Sequence, residues 1–216
     1  MIETPVLIAG GGPVGMTLAL ELASHGVRSL LVERNASTTR HPKMDLTNGR
    51  SMELFRRLGL VDRLRAAGVP ADHPFDIVWA TSATGQLLHR FAYPSSEQRR
   101  AEARERNDGT YTREPPMRVS QIVIEPVLKQ AIDAHPLVDV RFGWAFESLC
   151  QDADGVTAVI RSSATGEDQR VRAAYLAGCD GGSSAVRTAL GIGLEGQLRI
   201  TNAYMVHFRS RADDVL

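Results

Sequence analysis

The hydrophobic positions of the chain fall into blocks with two different periods. Residues 5–9 (PVLIA) form a short unbroken apolar run, the pattern of a strand covered on both faces in a parallel sheet. From residue 14 to residue 24 the apolar and small positions Met16, Leu18, Ala19, Leu20, Leu22 and Ala23 recur at helical spacing, and Gly26 closes the helix. A second apolar run at 27–32 (VRSLLV) ends in Glu33. Together these segments predict a βαβ unit at the start of the chain.

The polar segment 33–43 (ERNASTTRHPK) contains Pro42 and reads as a loop. Helical spacing returns at 51–58, stopped by Gly59, and at 61–67, stopped by Gly68. Two β-rich runs, 76–80 and 86–91, are separated by TSATG and predict a hairpin. Residues 92–117 are the most polar stretch, and EQRRAEARER within them mixes both signs of charge. That mixture reads as a solvated helix or a mobile loop, with phosphate binding by its arginines as the other reading. Residues 118–121 then lead into an apolar helix over about 122–134, stopped near Pro136.

From Asp139 the period changes. Strand-like runs at 138–142, 144–151, 155–161 and 169–176, the first and third rich in valine, are separated by the turn-forming DADG and SATGED segments, which predicts an antiparallel meander. The last run continues into YLAGCDGGSSAVRTALGI: a strand, an Asp-Gly-Gly turn, and a helix with Ser183 or Ser184 as its N-cap. A final strand is expected over about 198–209.

Charge and composition narrow the function classes. The 216 residues carry 25 Lys plus Arg against 25 Asp plus Glu, a net charge of zero that argues against a nucleic-acid partner. That length suits one medium domain or one and a half small ones. Cys150 and Cys179 are too few for a disulfide framework and point to a reduced, cytoplasmic setting. The apolar N-terminal stretch lacks a basic leader, is interrupted by Gly10, Gly11, Gly12, Pro13 and Gly15, and stops at Glu21, so it reads as neither signal peptide nor membrane span. The six histidines are scattered, which predicts no metal site, and no Gly-x-Ser-x-Gly nucleophile elbow is present.

The turn of the βαβ unit, Gly10-Gly11-Gly12-Pro13-Val14-Gly15, carries the chemistry. Gly10 suits a tight turn out of the strand, Gly12 leaves room for a pyrophosphate against the backbone, and Gly15 with Ala19 permits close helix–strand packing. The helix start offers N–H groups and a partial positive charge to phosphates. Glu33 is positioned to accept hydrogen bonds from adenosine ribose hydroxyls and to repel a 2′-phosphate, so the dinucleotide at this site is expected to be FAD or NAD rather than NADP.

Four segments in this order, VLIAGGGPVGMTLALELASHGVRSLLVER, HPKMDLTNGRSMELFRRLGL, RVSQIVIEPVL and YLAGCDGGSSAVRTALGI, resemble the FAD-dependent aromatic hydroxylases. These are single-component flavoprotein monooxygenases of the para-hydroxybenzoate hydroxylase type. The resemblance implies an α/β fold: a Rossmann-like FAD-binding domain, with a parallel sheet, helices and an antiparallel β-meander crossover, joined to part of a β-sheet substrate domain. On that basis residues 1–72 and 118–192 are assigned to the FAD-binding domain, and 73–117 and 193–216 to a partial substrate domain. It also implies roles. Gly10, Gly12, Pro13, Val14 and Gly15 match the ADP-phosphate loop, Glu33 the ribose-binding acid, and Arg34 lies beside the adenine. Lys43, in Pro42-Lys43-Met44, stands where the family has a basic residue approaching the flavin; lysine keeps the charge of arginine without its planar fork. Gln121 matches a polar contact to the ribityl-phosphate chain, Asp180 and Gly181 match an Asp-Gly motif tied to FAD and NAD(P)H, and Arg187 supports that motif.

Such enzymes use NAD(P)H to reduce FAD, which then activates O2 for attack on an electron-rich aromatic ring. No catalytic acid or base is assigned. The family's further Gly-Asp-Ala-x-His motif has no counterpart, since the sequence contains no Gly-Asp pair. The chain is therefore expected to be the N-terminal part of a longer monooxygenase, with the missing C-terminal portion as a partner. Two alternatives remain at this point: a related FAD oxidoreductase acting on a non-phenolic substrate, and a truncated, non-catalytic dinucleotide-binding module.

Overall fold

The structure, a computed structural model, describes residues 1–41, 43–197, 200–202, 204 and 206. Pro42 and most of the strand expected over 198–209 lie outside the described residues. The chain divides into two compact units, the first formed by Met1–Arg40 with Ile124–Thr201 and the second containing His41–Val123.

In the first unit, β1 (Ile2–Ala9) leads into helix α1 (Pro13–Ser24) and then β2 (Ser29–Glu33). β1 and β2 pair in parallel, Val6 opposite Ser29 through Ala9 opposite Val32, which brings the C-terminal ends of both strands to the same edge. Leu7, Ile8, Ala9, Leu30, Leu31 and Val32 are all buried. This is the burial expected of unbroken apolar runs in a sheet covered on both sides. Helix α1 packs against β1 and β2 through its buried Met16, Ala19, Leu20 and Ala23.

The remaining strands of this unit are β7 (Val138–Phe142), β8 (Trp144–Asp152), β9 (Gly155–Ser162) and β10 (Asp168–Gly178), and the sheet order is β7-β2-β1-β10-β9-β8. The run at 138–142 departs from the expected meander. It pairs in parallel with β2, Ser29 opposite Val138 through Glu33 opposite Phe142, while only β8, β9 and β10 form the antiparallel ribbon. The physical reason is the helix that precedes it: α5 (Gln121–Asp133) serves as a crossover, and a strand entering from a crossover returns parallel to its neighbour. Gly143, at φ +78°, then turns the chain out of that register before β8 begins.

β10 joins the two kinds of pairing, running parallel to β1 and antiparallel to β9. Leu7, Ala9, Leu30 and Val32 share a cluster with Ala158, Ile160, Val171, Ala173 and Val186, with Trp144 and Phe146 packed against it. The meander and α6 (Ala185–Ala189) thus cover one face of the parallel strands.

In the second unit, β3 (Leu46–Thr47) pairs with β6 (Met117–Arg118), and α2 (Gly49–Arg57) and α3 (Val61–Ala67) bury Met52, Phe55, Val61 and Leu64. β4 (Ile77–Ala80) and β5 (Leu87–Phe91) form the expected hairpin, exposed along its length. The charged stretch is a helix, α4 (Ser96–Arg106), started by a capping box in which Ser95 and Gln98 exchange hydrogen bonds. One buried carboxylate organises this unit. Glu114 binds Arg56 through one oxygen, while Arg65 Nη2 donates to the other at 2.8 Å, tying α2 and α3 to the segment before β6. Burial pushes the Glu114 carboxyl up, but Arg65 and Arg56 outweigh it and hold it below the usual carboxylate range.

Candidate dinucleotide-binding site

The glycine loop sits where β1, β2 and β10 end together. Gly10 donates its N–H to the Val32 carbonyl at 2.8 Å, and Cys179 donates to the Ala9 carbonyl at 2.7 Å. Gly10 has φ +116°, and a Cβ placed on it would stand 2.3 Å from the Cys179 carbonyl oxygen. Only glycine satisfies both conditions. The close approach also brings the Cys179-Asp180-Gly181 turn directly against the first loop, so two motifs far apart in sequence form one surface.

Gly15 packs as tightly: its Cβ would lie 1.9 Å from the Gly10 carbonyl oxygen. Gly12 differs from both, since a Cβ there would have nothing within 4 Å. Packing of the protein against itself therefore does not explain a glycine at position 12. The space suits a ligand that approaches the backbone.

Gly12 is the N-cap of α1, and its carbonyl accepts the first helical bond from Met16 N–H at 3.0 Å. The cap makes no side-chain hydrogen bond, Pro13 takes the first turn, and that turn holds no acidic residue. The partial positive charge of the helix start is thus unopposed from within the helix and matches a phosphate.

Glu33, at the end of β2, closes the other side. Its Oε2 accepts from Gly11 N–H at 2.8 Å, and its Oε1 accepts from the N–H and Nδ2 of Asn35 at 2.9 and 2.6 Å. A carboxylate offers about four acceptor positions, so these three bonds leave one, on Oε2, for an incoming hydroxyl. The carbonyl of the exposed Arg34 accepts from Ser163 Oγ at 3.0 Å, and that of Asn35 from Gly143 N–H at 2.9 Å, which ties the segment after Glu33 to the end of the β8–β9 ribbon where Trp144 lies opposite Ser162.

Asp180 is engaged with the protein. Its Oδ1 accepts from Ser184 Oγ at 2.5 Å, and its Oδ2 from the N–H groups of Ala185 and Val186 at 2.6 and 3.2 Å. Burial raises its pKa, but the Ser184 hydroxyl and the Val186 and Ala185 amides outweigh burial and hold it below 3.8. Ser184 is the cap of α6, accepting from Arg187 N–H, and Arg187 Nη1 donates to the Gly182 carbonyl at 2.8 Å, bracing the turn that contains Gly181. Burial, and then the nearby Asp180 charge, push the Cys179 thiol up, so it stays neutral at ordinary pH.

Gly10, Gly12, Pro13, Val14, Gly15, Glu33, Arg34, Asp180 and Gly181 therefore gather in the first unit. Lys43 and Gln121 belong to the second and meet each other there: Lys43 N–H donates to Gln121 Oε1 at 3.2 Å. Three residues of the site escaped the sequence reading. Gly11 was legible in the run of three glycines; its Cβ would stand 2.6 Å from Glu33 Cβ and 3.0 Å from the Phe142 ring. Asn35 gave only the general signal of a polar loop residue, and Phe142 none, because its place follows from the parallel pairing of β7. Among the described residues no group of three or more His, Cys, Asp or Glu is arranged to hold a metal ion, and no helix is long and apolar enough to cross a membrane.

Neutral backbone donors at a helix start, open space over Gly12 and an acceptor at the tip of the second strand define a dinucleotide site. The model of the FAD binding domain family matches residues 3–215, and the chain belongs to that family. It is 44% identical over 207 residues to the FAD-dependent monooxygenase apdD of Emericella nidulans, covering 95% of this chain and 33% of that protein. It is 36% identical to the 2,4-dichlorophenol 6-monooxygenase of Delftia acidovorans, covering 97% of this chain and 35% of the relative. Among solved structures, the flavin-dependent monooxygenase PieE in complex with FAD and substrate superposes with a TM-score of 0.80 at 37% identity, over 91% of this chain and 33% of that one. The chain thus spans about a third of the length of the relatives it matches.

Proposed function

We propose that this chain is the FAD-binding portion of a flavin-dependent monooxygenase that hydroxylates an aromatic, phenol-type substrate with NAD(P)H and O2. The observation that carries the reading is the glycine loop: Gly12 faces open space at a helix start with no side-chain cap, while the sites beside Gly10 and Gly15 are filled by the protein itself. The monooxygenase names of relatives similar along nearly the whole chain support the choice of reaction.

Bound FAD would supply the redox chemistry, accepting a hydride and passing electrons to O2. The chain's own work is binding and positioning. The N–H groups at the start of α1, beginning at Val14 and Gly15, hold the pyrophosphate. The remaining acceptor position of Glu33 takes a ribose hydroxyl, with Arg34 beside the adenine, and its charge disfavours a 2′-phosphate at the same place. Lys43 contributes positive charge toward the flavin, Gln121 a polar contact to its ribityl-phosphate chain, and the Asp180-Gly181 turn the close of the site. Residues 1–72 and 118–192 serve the cofactor, and 73–117 with 193–216 contribute to the substrate side, completed by a C-terminal portion. A cytoplasmic location accords with two free cysteines.

The test is purification of the full-length protein and measurement of bound flavin by visible absorbance, then of NAD(P)H consumption with and without a panel of phenols. Yellow protein, phenol-stimulated consumption and a hydroxylated product are expected. A flavin-loaded protein indifferent to every phenol, or one that binds no flavin, would overturn the proposal.

A further inference from the structure

Helix α5 begins with two side chains one turn apart, Gln121 and Glu125, that both reach the segment following Glu33. Glu125 is 4% exposed, and its Oε2 accepts from Thr39 N–H at 2.6 Å. Gln121 is 7% exposed; its Oε1 accepts from Lys43 N–H at 3.2 Å, and its own N–H donates to the Met44 carbonyl at 3.0 Å. Residues separated by four positions share a helix face, so one face of α5 holds this segment at both ends. A buried carboxylate is retained in a fold only where donors compensate its lost hydration, and a backbone N–H of an otherwise polar loop is a specific choice of donor.

We propose that Gln121 and Glu125 form a two-point clamp on the backbone of Thr39 and of Lys43 and that Glu125 is a positioning residue acting through Lys43. The proposal rests on the reading of the chain as an FAD-binding portion. It gives Gln121 a second duty beside any polar contact to FAD, and it gives Glu125 a duty where the glycine and Asp-Gly motifs give none. Fixing Thr39 and Lys43 by their backbones restricts where the Lys43 ammonium can go. That restriction substitutes for the rigidity that a planar arginine fork would bring by itself.

The experiment uses the full-length protein and two readouts. Hydrogen exchange of the apo protein, followed on peptides covering residues 36–44, should show loss of protection in Glu125→Ala and partial retention in Glu125→Gln, which keeps an acceptor oxygen. FAD titration should show a Kd raised about tenfold by Glu125→Ala, equivalent to ~1.4 kcal/mol, with part of that recovered in Glu125→Gln. In a Lys43→Ala background the same Glu125→Ala change should have little further effect, because the residue it positions is gone. Unchanged exchange over 36–44 would overturn the clamp. An equal loss of affinity with and without Lys43 would overturn positioning and leave Glu125 a general structural residue. A wild-type protein that binds no FAD would overturn the functional reading itself, and the exchange result would still decide the clamp.

Discussion

Replacing Gly12 by alanine should separate folding from cofactor binding. Gly12 lies at φ −77° and ψ −178°, extended backbone that alanine adopts without strain. Its added methyl would meet nothing within 4 Å. Two small effects on the apo protein then oppose each other: alanine is a poorer N-cap than glycine, while its stiffer unfolded chain favours folding by about 0.4–1 kcal/mol. The net change should stay within about 1 kcal/mol, or roughly 2–4 °C in melting temperature for a domain of this size. Binding should respond differently. A phosphate oxygen hydrogen-bonded to the loop must pass through the space the methyl occupies, and losing one charge-assisted bond of about 1.5–3 kcal/mol raises the Kd roughly 10- to 100-fold.

Gly15→Ala provides the contrast, because its methyl would lie 1.9 Å from the Gly10 carbonyl oxygen and force the backbone apart. That variant should lose about 1–3 kcal/mol in the apo state. Thermal melts of both apo variants, paired with FAD titration by flavin fluorescence, give the comparison. Full FAD affinity in Gly12→Ala would refute the placement of the pyrophosphate over that position, and a melting loss matching that of Gly15→Ala would refute the claim of open space.

Glu33→Gln sets an amide NH2 against either the Gly11 N–H or the Asn35 N–H, so the FAD Kd should rise about tenfold on titration. Asp180→Asn should destabilise the apo protein by about 1–2 kcal/mol at neutral pH, measured by denaturant unfolding, because the carboxylate holds Ser184 and two amides of α6. Since the folded-state pKa of Asp180 is depressed, its contribution is complete above 3.8 and is lost as pH falls through the depressed value, so the gap between wild type and variant should narrow below 3.8. Glu114→Ala leaves Arg56 and Arg65 facing each other without their common anion; a loss of about 3 kcal/mol in a thermal melt is expected, and added salt should reduce it, since the Arg56 side chain is 42% exposed.

The elements of the first unit were legible because local pattern and tertiary role coincide there. Apolar runs without alternation are strands covered on both faces, and the glycines at 10, 12 and 15 sit in the turn they describe. Helix α4 could not be separated from a loop by charge alone, yet its start was written in Ser95 and Gln98, a capping box visible at the right spacing. Asp180 was legible as part of an Asp-Gly turn, but its attachment to Ser184, Ala185 and Val186 was not. A carboxylate beside a helix start can face a ligand or the helix itself, and the sequence carries both possibilities equally.

Strand partners are the harder quantity, and β7 shows why this matters for the site. The alternation of VDVRF identifies a strand, but periodicity describes which faces are covered and contains nothing about the neighbour or its direction. Nothing in the composition of the four runs names a partner, but what precedes each differs: a helix before β7, a single glycine before β8, short turns before β9 and β10. A helix implies a parallel return, so β7 belongs beside β2, and Glu33 then lies opposite Phe142. That register sets the Phe142 ring against Gly11, whose N–H holds Glu33. The residue expected to read the ribose is therefore fixed from one side by the glycine loop and from the other by a strand whose role came only from its connection. Substituting Phe142 by alanine should accordingly loosen Glu33 and weaken FAD binding, although Phe142 carries no group that could bind the cofactor by hydrogen bonds.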